Sequence, residues 1–258
     1  MNFEKSGKLI AVIVPKTSGQ SIRKKLYLDA EPDPQKEGVV DYFSELQLPP
    51  GFRFQLAINK KQERQVNYVV GQSGSGKSYF VKQLLQEYVR TYPSRPIFLF
   101  SSLAEDETLK PLGDKIQRIE LTPDFLADDI QASEFQDSCV VFDDTDCISD
   151  KMMRKKVMGL QNQLLETGRH FNTSIFFTNH IANQGHDTRR ILNESQALTF
   201  FPATMNDRTC KYLLNSTMGL SNKQVERIRQ IPSRAITILK SYPPVLVAET
   251  FVCLLKDI

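Results

Sequence analysis

Residues Gly71-Gln72-Ser73-Gly74-Ser75-Gly76-Lys77-Ser78 match the pattern G-x-x-x-x-G-K-[S/T] at every fixed position. The chemistry of that pattern is phosphate binding. Glycines let the backbone curl so that successive N–H groups face anionic oxygens. A helix beginning near Gly76 would add the positive end of its dipole. Lys77 is placed to reach the β- and γ-phosphates of ATP, and the Ser78 hydroxyl to ligate Mg2+. The nucleotide-binding set is therefore Gly71, Gln72, Ser73, Gly74, Ser75, Gly76, Lys77, Ser78 and the adjoining Tyr79. At an average glycine usage of roughly 7%, a chance match in a chain of this kind has odds on the order of one per cent. The apolar strand pattern before the loop and the helical pattern after it lower those odds further.

A second group of residues could complete a hydrolytic site. Val140-Val141-Phe142-Asp143-Asp144 is an apolar run ending in two carboxylates, the pattern of a Walker B element. In that reading Asp143 holds Mg2+ through water, and Asp144 polarises the attacking water as a general base. Asp146 reads instead as a helix-side cap. The run Ser174–Thr178 leads to Asn179, and catalytic groups in open parallel sheets gather at the carboxyl ends of strands. Asn179 is thus a candidate to touch the γ-phosphate or the water. His180 reads as a hydrogen-bonding neighbour of the site; His180 and His186 are too isolated to argue for a metal. Arg169-His170 suits the C-terminus of a helix capped by Gly168. Arg189-Arg190 reads as a solvated basic loop before Ile191, although an arginine there could enter a neighbouring subunit's site. Lys151, Arg154, Lys155 and Lys156 read as a solvated helix face.

The elements that must position these groups follow from periodicity. Val66–Val70, Ile97–Phe100, Ser138–Phe142, Ser174–Thr178 and Ala197–Phe201 are apolar runs of strand length, with Ile116–Leu121 a further candidate. Between them lie helical patterns at Lys77–Thr91, ended by Pro93, and at Lys151–Thr167. Strand–helix alternation of this kind implies a parallel sheet with helices on both faces. Upstream, Leu9–Val14 reads as a buried strand, residues 16–20 as a turn and residues 30–38 as an exposed loop. Phe52–Ile58 alternates and, across a charged turn at residues 59–64, could form a hairpin with Val66–Val70. Downstream, Ser221–Gln230 reads as a helix, and Ala235–Lys240 and Val245–Leu255 as strands around Tyr242-Pro243-Pro244. The division implied is a β-rich extension over residues 1–59 and a P-loop core over 60–258 with a C-terminal β hairpin.

Composition sets limits. The chain has 258 residues, 33 Lys and Arg against 30 Asp and Glu, and a net charge of +3, so any nucleic-acid surface must be a local patch. Its 4 cysteines form no CxxC pair, which argues against zinc and fits a reducing compartment. The polar start and short apolar runs suggest a soluble intracellular protein without a membrane span. Asn-Lys-x-Asp, the usual sign of guanine specificity, does not follow a strand, and a transporter-type Ser-Gly-Gly-Gln is absent outside the P-loop region.

From about Val66 to the C-terminus the chain resembles the viral genome-packaging ATPases of the FtsK/HerA superfamily. The poxvirus-type branch, found also in giant viruses, virophages and related DNA transposons, is the one it is most like. The resemblance rests on the order of the P-loop, Val-Val-Phe-Asp-Asp, Gly168-Arg169-His170-Phe171-Asn172, a strand ending in an amide, Arg190-x-x-Asn193, and the segments Gly219-Leu220-Ser221 and Ser233-Arg234. It implies an α/β RecA-like P-loop NTPase core, with a mainly parallel sheet, helices on both faces and short N-terminal and C-terminal β elements. It also implies a DNA-stimulated ATPase with ATP and Mg2+ that forms a homo-oligomeric ring, pentamer or hexamer. Such a ring moves double-stranded DNA into a preformed capsid and meets capsid or portal-like viral proteins, at a host-cell assembly site or in the virion. By residue match the catalytic set is Lys77, Asp144, Asn179 and Arg190, with Ser78 and Asp143 on the metal. Asn179 stands where the family commonly has glutamine, and Arg190 near its trans-acting arginine, with Arg189 as a rival. A competing reading is a P-loop NTPase that acts as a nucleotide-dependent switch or assembly protein without moving DNA.

Overall fold

The computed structural model describes residues 1–3, 7–17, 23–29, 43–62, 64–101, 107–180, 182 and 186–258. The loop expected at 30–38 lies outside these residues, as do 18–20 of the expected turn and position 63 of the charged turn. The main sheet takes its parallel strands from β5 (Val66–Val70), β6 (Ile97–Ser101), β7 (Ile116–Ile119), β8 (Cys139–Asp143), β9 (Ser174–Asn179) and β10 (Ala197–Phe200). Their order is β10-β5-β9-β8-β6-β7. The loop-bearing β5 and the acid-bearing β8 are therefore not neighbours; β9 lies between them and is parallel to both. Strands buried on both faces read as continuous apolar runs, and β5, β8, β9 and β10 are buried at every position.

Two apolar layers hold this sheet. On one face α1 (Lys77–Thr91) buries Val81, Leu84, Leu85 and Tyr88 against Val69, Val141 and Phe176. On the other, α3 (Lys151–Thr167) and α4 (His186–Glu194) pack Val157, Leu160, Leu164, Ile191 and Leu192 on Val66, Val140, Ile175 and Phe177. Each such buried side chain contributes about 1.5–3 kcal/mol. Register is set by aromatic pairing on the second face. Phe142 stacks on Phe100 at 5.1 Å and on Phe177 at 5.4 Å between ring centroids. These residues are partners across β6, β8 and β9, so the next residues, Ser101, Asp143 and Thr178, fall in one row on the α1 face.

The N-terminal strands depart from expectation. Phe52–Leu56 (β4) does not form a hairpin with β5. It pairs antiparallel with β1 (Lys8–Pro15), which also pairs with β2 (Lys24–Leu28), in a separate three-stranded sheet. Ile10, Ile13, Leu26, Phe54 and Leu56 of that sheet share one apolar cluster with α1. The C-terminal part continues the main sheet antiparallel through β11 (Ile236–Leu239), β12 (Val245–Val247) and β13 (Phe251–Leu254). This is a meander rather than a simple hairpin, because a turn at 248–250 divides the run expected from Val245 to Leu255. Strand β3 (Glu45–Gln47) closes its edge, so residues upstream of 60 contribute to the large sheet as well. Arg189 and Arg190 lie within α4 rather than in a loop. Among the described residues no helix is long and apolar enough to cross a membrane.

Candidate nucleotide site

The loop between β5 and α1 is held from both ends. The Gly71 N–H donates to the Asn179 carbonyl at 3.1 Å, tying the loop's start to the tip of β9. The Phe80 N–H donates to the Gly76 carbonyl at 3.0 Å and opens the helix. Gly74 and Gly76 have φ of 74° and 111°, a region that side chains disfavour. At Gly71 a Cβ would lie 2.7 Å from the Phe201 ring, so close packing excludes any larger residue. Ser75 and Lys77 are buried while Gln72, Ser73 and Gly74 are exposed. The Ser75 hydroxyl is buried with no protein partner, which suits a group that meets a ligand oxygen. Tyr79 stands exposed on α1. Against the upward push of partial burial, the Arg53 hydrogen bond and charge, with Gln83 and Lys82, hold its phenol below the ordinary value.

Opposite the loop, Asp143 is 4% exposed at the end of β8. Its carboxylate accepts from Thr178 Oγ1 at 2.7 Å and from Ser101 Oγ at 3.3 Å, the row fixed by the aromatic register. Asp144 has φ of 47°, and its backbone N–H is held by Thr178 Oγ1 at 2.9 Å. The turn aims its carboxylate at the loop: Oδ1 lies 3.6 Å from Lys77 Nζ and Oδ2 lies 2.8 Å from His180 Nε2. Lys77 Nζ also donates to the Gly71 carbonyl at 2.9 Å and lies 3.4 Å from His180 Nδ1. Asp146 does not cap a helix. It accepts the His180 backbone N–H at 3.0 Å, and the cap of α3 is Asp150, which accepts from Met153 N–H at 2.7 Å.

Lys77, Asp143, Asp144 and His180 thus belong to one hydrogen-bonded and charge-paired group joined through Thr178, with Ser78 in the first turn of α1. Asn179 is present through its main chain; its side chain bonds the buried Tyr68 hydroxyl on the opposite face from α1. Burial pushes the Tyr68 phenol well up, with further help from Asp146. Arg190 stands apart, paired at 2.8 Å with Glu166 near the C-terminal end of α3.

Two arginines were not singled out by sequence reasoning. Arg234 donates from Nε to the Ser75 carbonyl at 2.8 Å and from Nη2 to the Gly74 carbonyl at 3.2 Å. Arg64 caps the C-terminus of α3, the place expected for Arg169, by donating to the Leu164 and Leu165 carbonyls, each at 2.7 Å. The only sequence signal for Arg234 was its place in the closing segment of the family pattern.

The donor set fits magnesium. Ser78 and Asp143 offer oxygen alone, which suits a hard cation that keeps most of its shell for water and phosphate. The hydroxyls of Thr178 and Ser101 fix the Asp143 carboxylate from behind.

Fold and loop together define a P-loop nucleotide-binding protein in which an added strand separates the loop strand from the acidic strand. No protein-family profile matches the chain. It is 38% identical over 247 residues to "Uncharacterized protein V3" of Sputnik virophage, covering 94% of each protein, and it belongs to the same family as that virophage protein. Among solved structures, the fold is similar to the pCW3 conjugation coupling protein TcpA with ATPγS. The TM-score is 0.51 at 12% identity, over 92% of this chain and 76% of that one. The genome packaging NTPase B204 of Sulfolobus turreted icosahedral virus 2 with ATPγS aligns at a TM-score of 0.48 and 10% identity, over 73% of this chain and 99% of that one. The likeness to TcpA shows the fold, an α/β P-loop NTPase sheet flanked by helices.

Proposed function

We propose that the chain hydrolyses ATP at this site and uses the energy to move double-stranded DNA into a preformed capsid. The observation that carries hydrolysis is the approach of the Asp144 carboxylate to Lys77 Nζ across β9, at 3.6 Å. The loop N–H groups and Lys77 hold the β- and γ-phosphates. Magnesium, held by Ser78 and Asp143, supplies charge neutralisation on the phosphate oxygens when bound. Asp144 accepts a proton from water as the water oxygen bonds to the γ-phosphorus; the bond from that phosphorus to the bridging oxygen breaks, and ADP leaves with the electron pair. Asn179 holds the start of the loop through its carbonyl. Arg190 of a neighbouring protomer, released from Glu166, neutralises the transition state in a pentameric or hexameric ring.

The transport reading rests on family membership with a virophage protein and on the packaging-ATPase pattern of Gly168–Asn172 and Arg190–Asn193. The partners proposed are duplex DNA gripped by its phosphates and capsid or portal-like proteins. The test is hydrolysis of ATP and GTP with and without linear duplex DNA, for wild type and Asp144→Asn. Expected is ATP turnover raised by DNA and lowered about 100-fold or more in the variant. Turnover unchanged in the variant would remove Asp144 as the base. ATP binding without hydrolysis in any assembled form would favour an assembly protein.

A further inference from the structure

His180 bridges the loop lysine and the acid pair. It lines a cavity of about 390 Å³ together with Gly71, Gln72 and Ser73 of the loop and Asn206 and Thr209 at the start of α5 (Asp207–Lys211). Three contacts fix it. Its backbone N–H donates to Asp146 Oδ2 at 3.0 Å, Nε2 lies 2.8 Å from Asp144 Oδ2, and Nδ1 lies 3.4 Å from Lys77 Nζ. An ammonium group has only donors. The Lys77 contact therefore ends on the Nδ1 lone pair, which leaves the ring proton on Nε2 to donate to Asp144. One neutral tautomer satisfies both neighbours.

Lys77 in this arrangement spends its hydrogens on the Gly71 carbonyl, on His180 Nδ1 and on the Asp144 charge. A γ-phosphate that takes Lys77 competes with these three contacts, of which the longer two, to His180 and Asp144, are the weaker. We propose that His180 is a positioning residue through which that exchange reaches the acid. With Lys77 drawn to phosphate, the imidazole keeps its Nε2–H bond to Oδ2, and Oδ1 of Asp144, which Thr178 Oγ1 still approaches at 3.2 Å, loses the lysine and turns toward the water. A diphosphate offers Lys77 the β-phosphate alone and draws it off His180 less far. This rests on the reading of the site as a nucleotide hydrolase. It also answers a geometric need, because aspartate is one methylene shorter than glutamate and must be held in one direction to reach the water.

The test uses the full chain with Mg·ATPγS, Mg·ADP and Mg·ATP. Nitrogen-15 spectra of wild type should show His180 protonated at Nε2 and unprotonated at Nδ1, with Nδ1 shifted more by ATPγS than by ADP. Removing a hydrogen bond to a charged group typically costs about tenfold or more. Expected for His180→Ala is a kcat lowered by about that factor with ATPγS affinity within about threefold of wild type. His180→Gln, whose amide N–H can reach Asp144, should recover most of the kcat, and His180→Asn should not. Equal Nδ1 shifts with ATPγS and ADP, or an unaltered kcat in His180→Ala, would overturn the proposal while leaving hydrolysis itself standing. Failure of wild type to bind or hydrolyse any nucleotide would bring down the underlying reading together with it.

Discussion

Replacing Arg234 by alanine should weaken nucleotide binding although its contacts are all to the protein itself. Its guanidinium bonds the carbonyls of Ser75 and Gly74 at 2.8 and 3.2 Å. The Ser75 carbonyl belongs to the peptide whose Gly76 N–H must face phosphate, and the Gly74 carbonyl to the peptide whose Ser75 N–H closes the loop's turn on the Gln72 carbonyl at 3.2 Å, so holding both oxygens outward fixes the curl of the loop. Gly76 makes this possible, since a Cβ there would sit 3.1 Å from Arg234 Nε. Hydrogen bonds from a charged donor are worth about 1.5–3 kcal/mol when shielded. Arg234 is exposed, and solvent reduces the pair to about 1–2 kcal/mol. That corresponds to a Kd for Mg·ATPγS raised roughly 5- to 30-fold, read by titration calorimetry. Arg234→Lys keeps the charge but lacks the two-pronged fork, and should recover less than half of the lost free energy. Wild-type affinity in Arg234→Ala would refute the reasoning. Full recovery in Arg234→Lys would reduce the residue to a nearby charge.

Arg64→Ala should remove two half-buried hydrogen bonds from the end of α3 and cost about 1.5–3 kcal/mol of stability, seen as a fall in Tm with nucleotide affinity unchanged; an unaltered Tm would mean water caps the helix as well. Arg190→Ala breaks an ion pair with Glu166 whose partners are 45% and 60% exposed, so stability should change by less than about 1 kcal/mol. In mixed assemblies the same variant should silence neighbouring wild-type subunits, so that turnover falls faster than the wild-type fraction; a strictly proportional fall would exclude action in trans.

What was legible in the sequence divides by the range of the interaction that produces it. The phosphate loop and its flanks were readable because glycine conformations, helix start and lysine lie within eight consecutive residues. The acid pair was readable because burial writes an apolar run before it. Strand partners were not. The alternation in Phe52–Ile58 correctly marks a half-buried strand, yet it says nothing about which strand lies beside it. Proximity in sequence favoured β5, whereas the apolar face found its cover against α1 by pairing with β1. Asp146 failed for a related reason: its local context suits a cap, but the backbone donor it meets is the His180 N–H from a different strand tip. Arg234 lies 159 positions from the carbonyl it holds and Arg64 lies 100 from its own, and an arginine in a polar segment carries no mark of either task. His180 falls between these cases. Its place after β9 put it near the site, but only the insertion of β9 between the loop strand and the acidic strand puts one ring nitrogen on Lys77 and the other on Asp144. The strand order is therefore the physical cause of the coupling: with β5 and β8 adjacent, no residue following β9 would stand between the lysine and the acid.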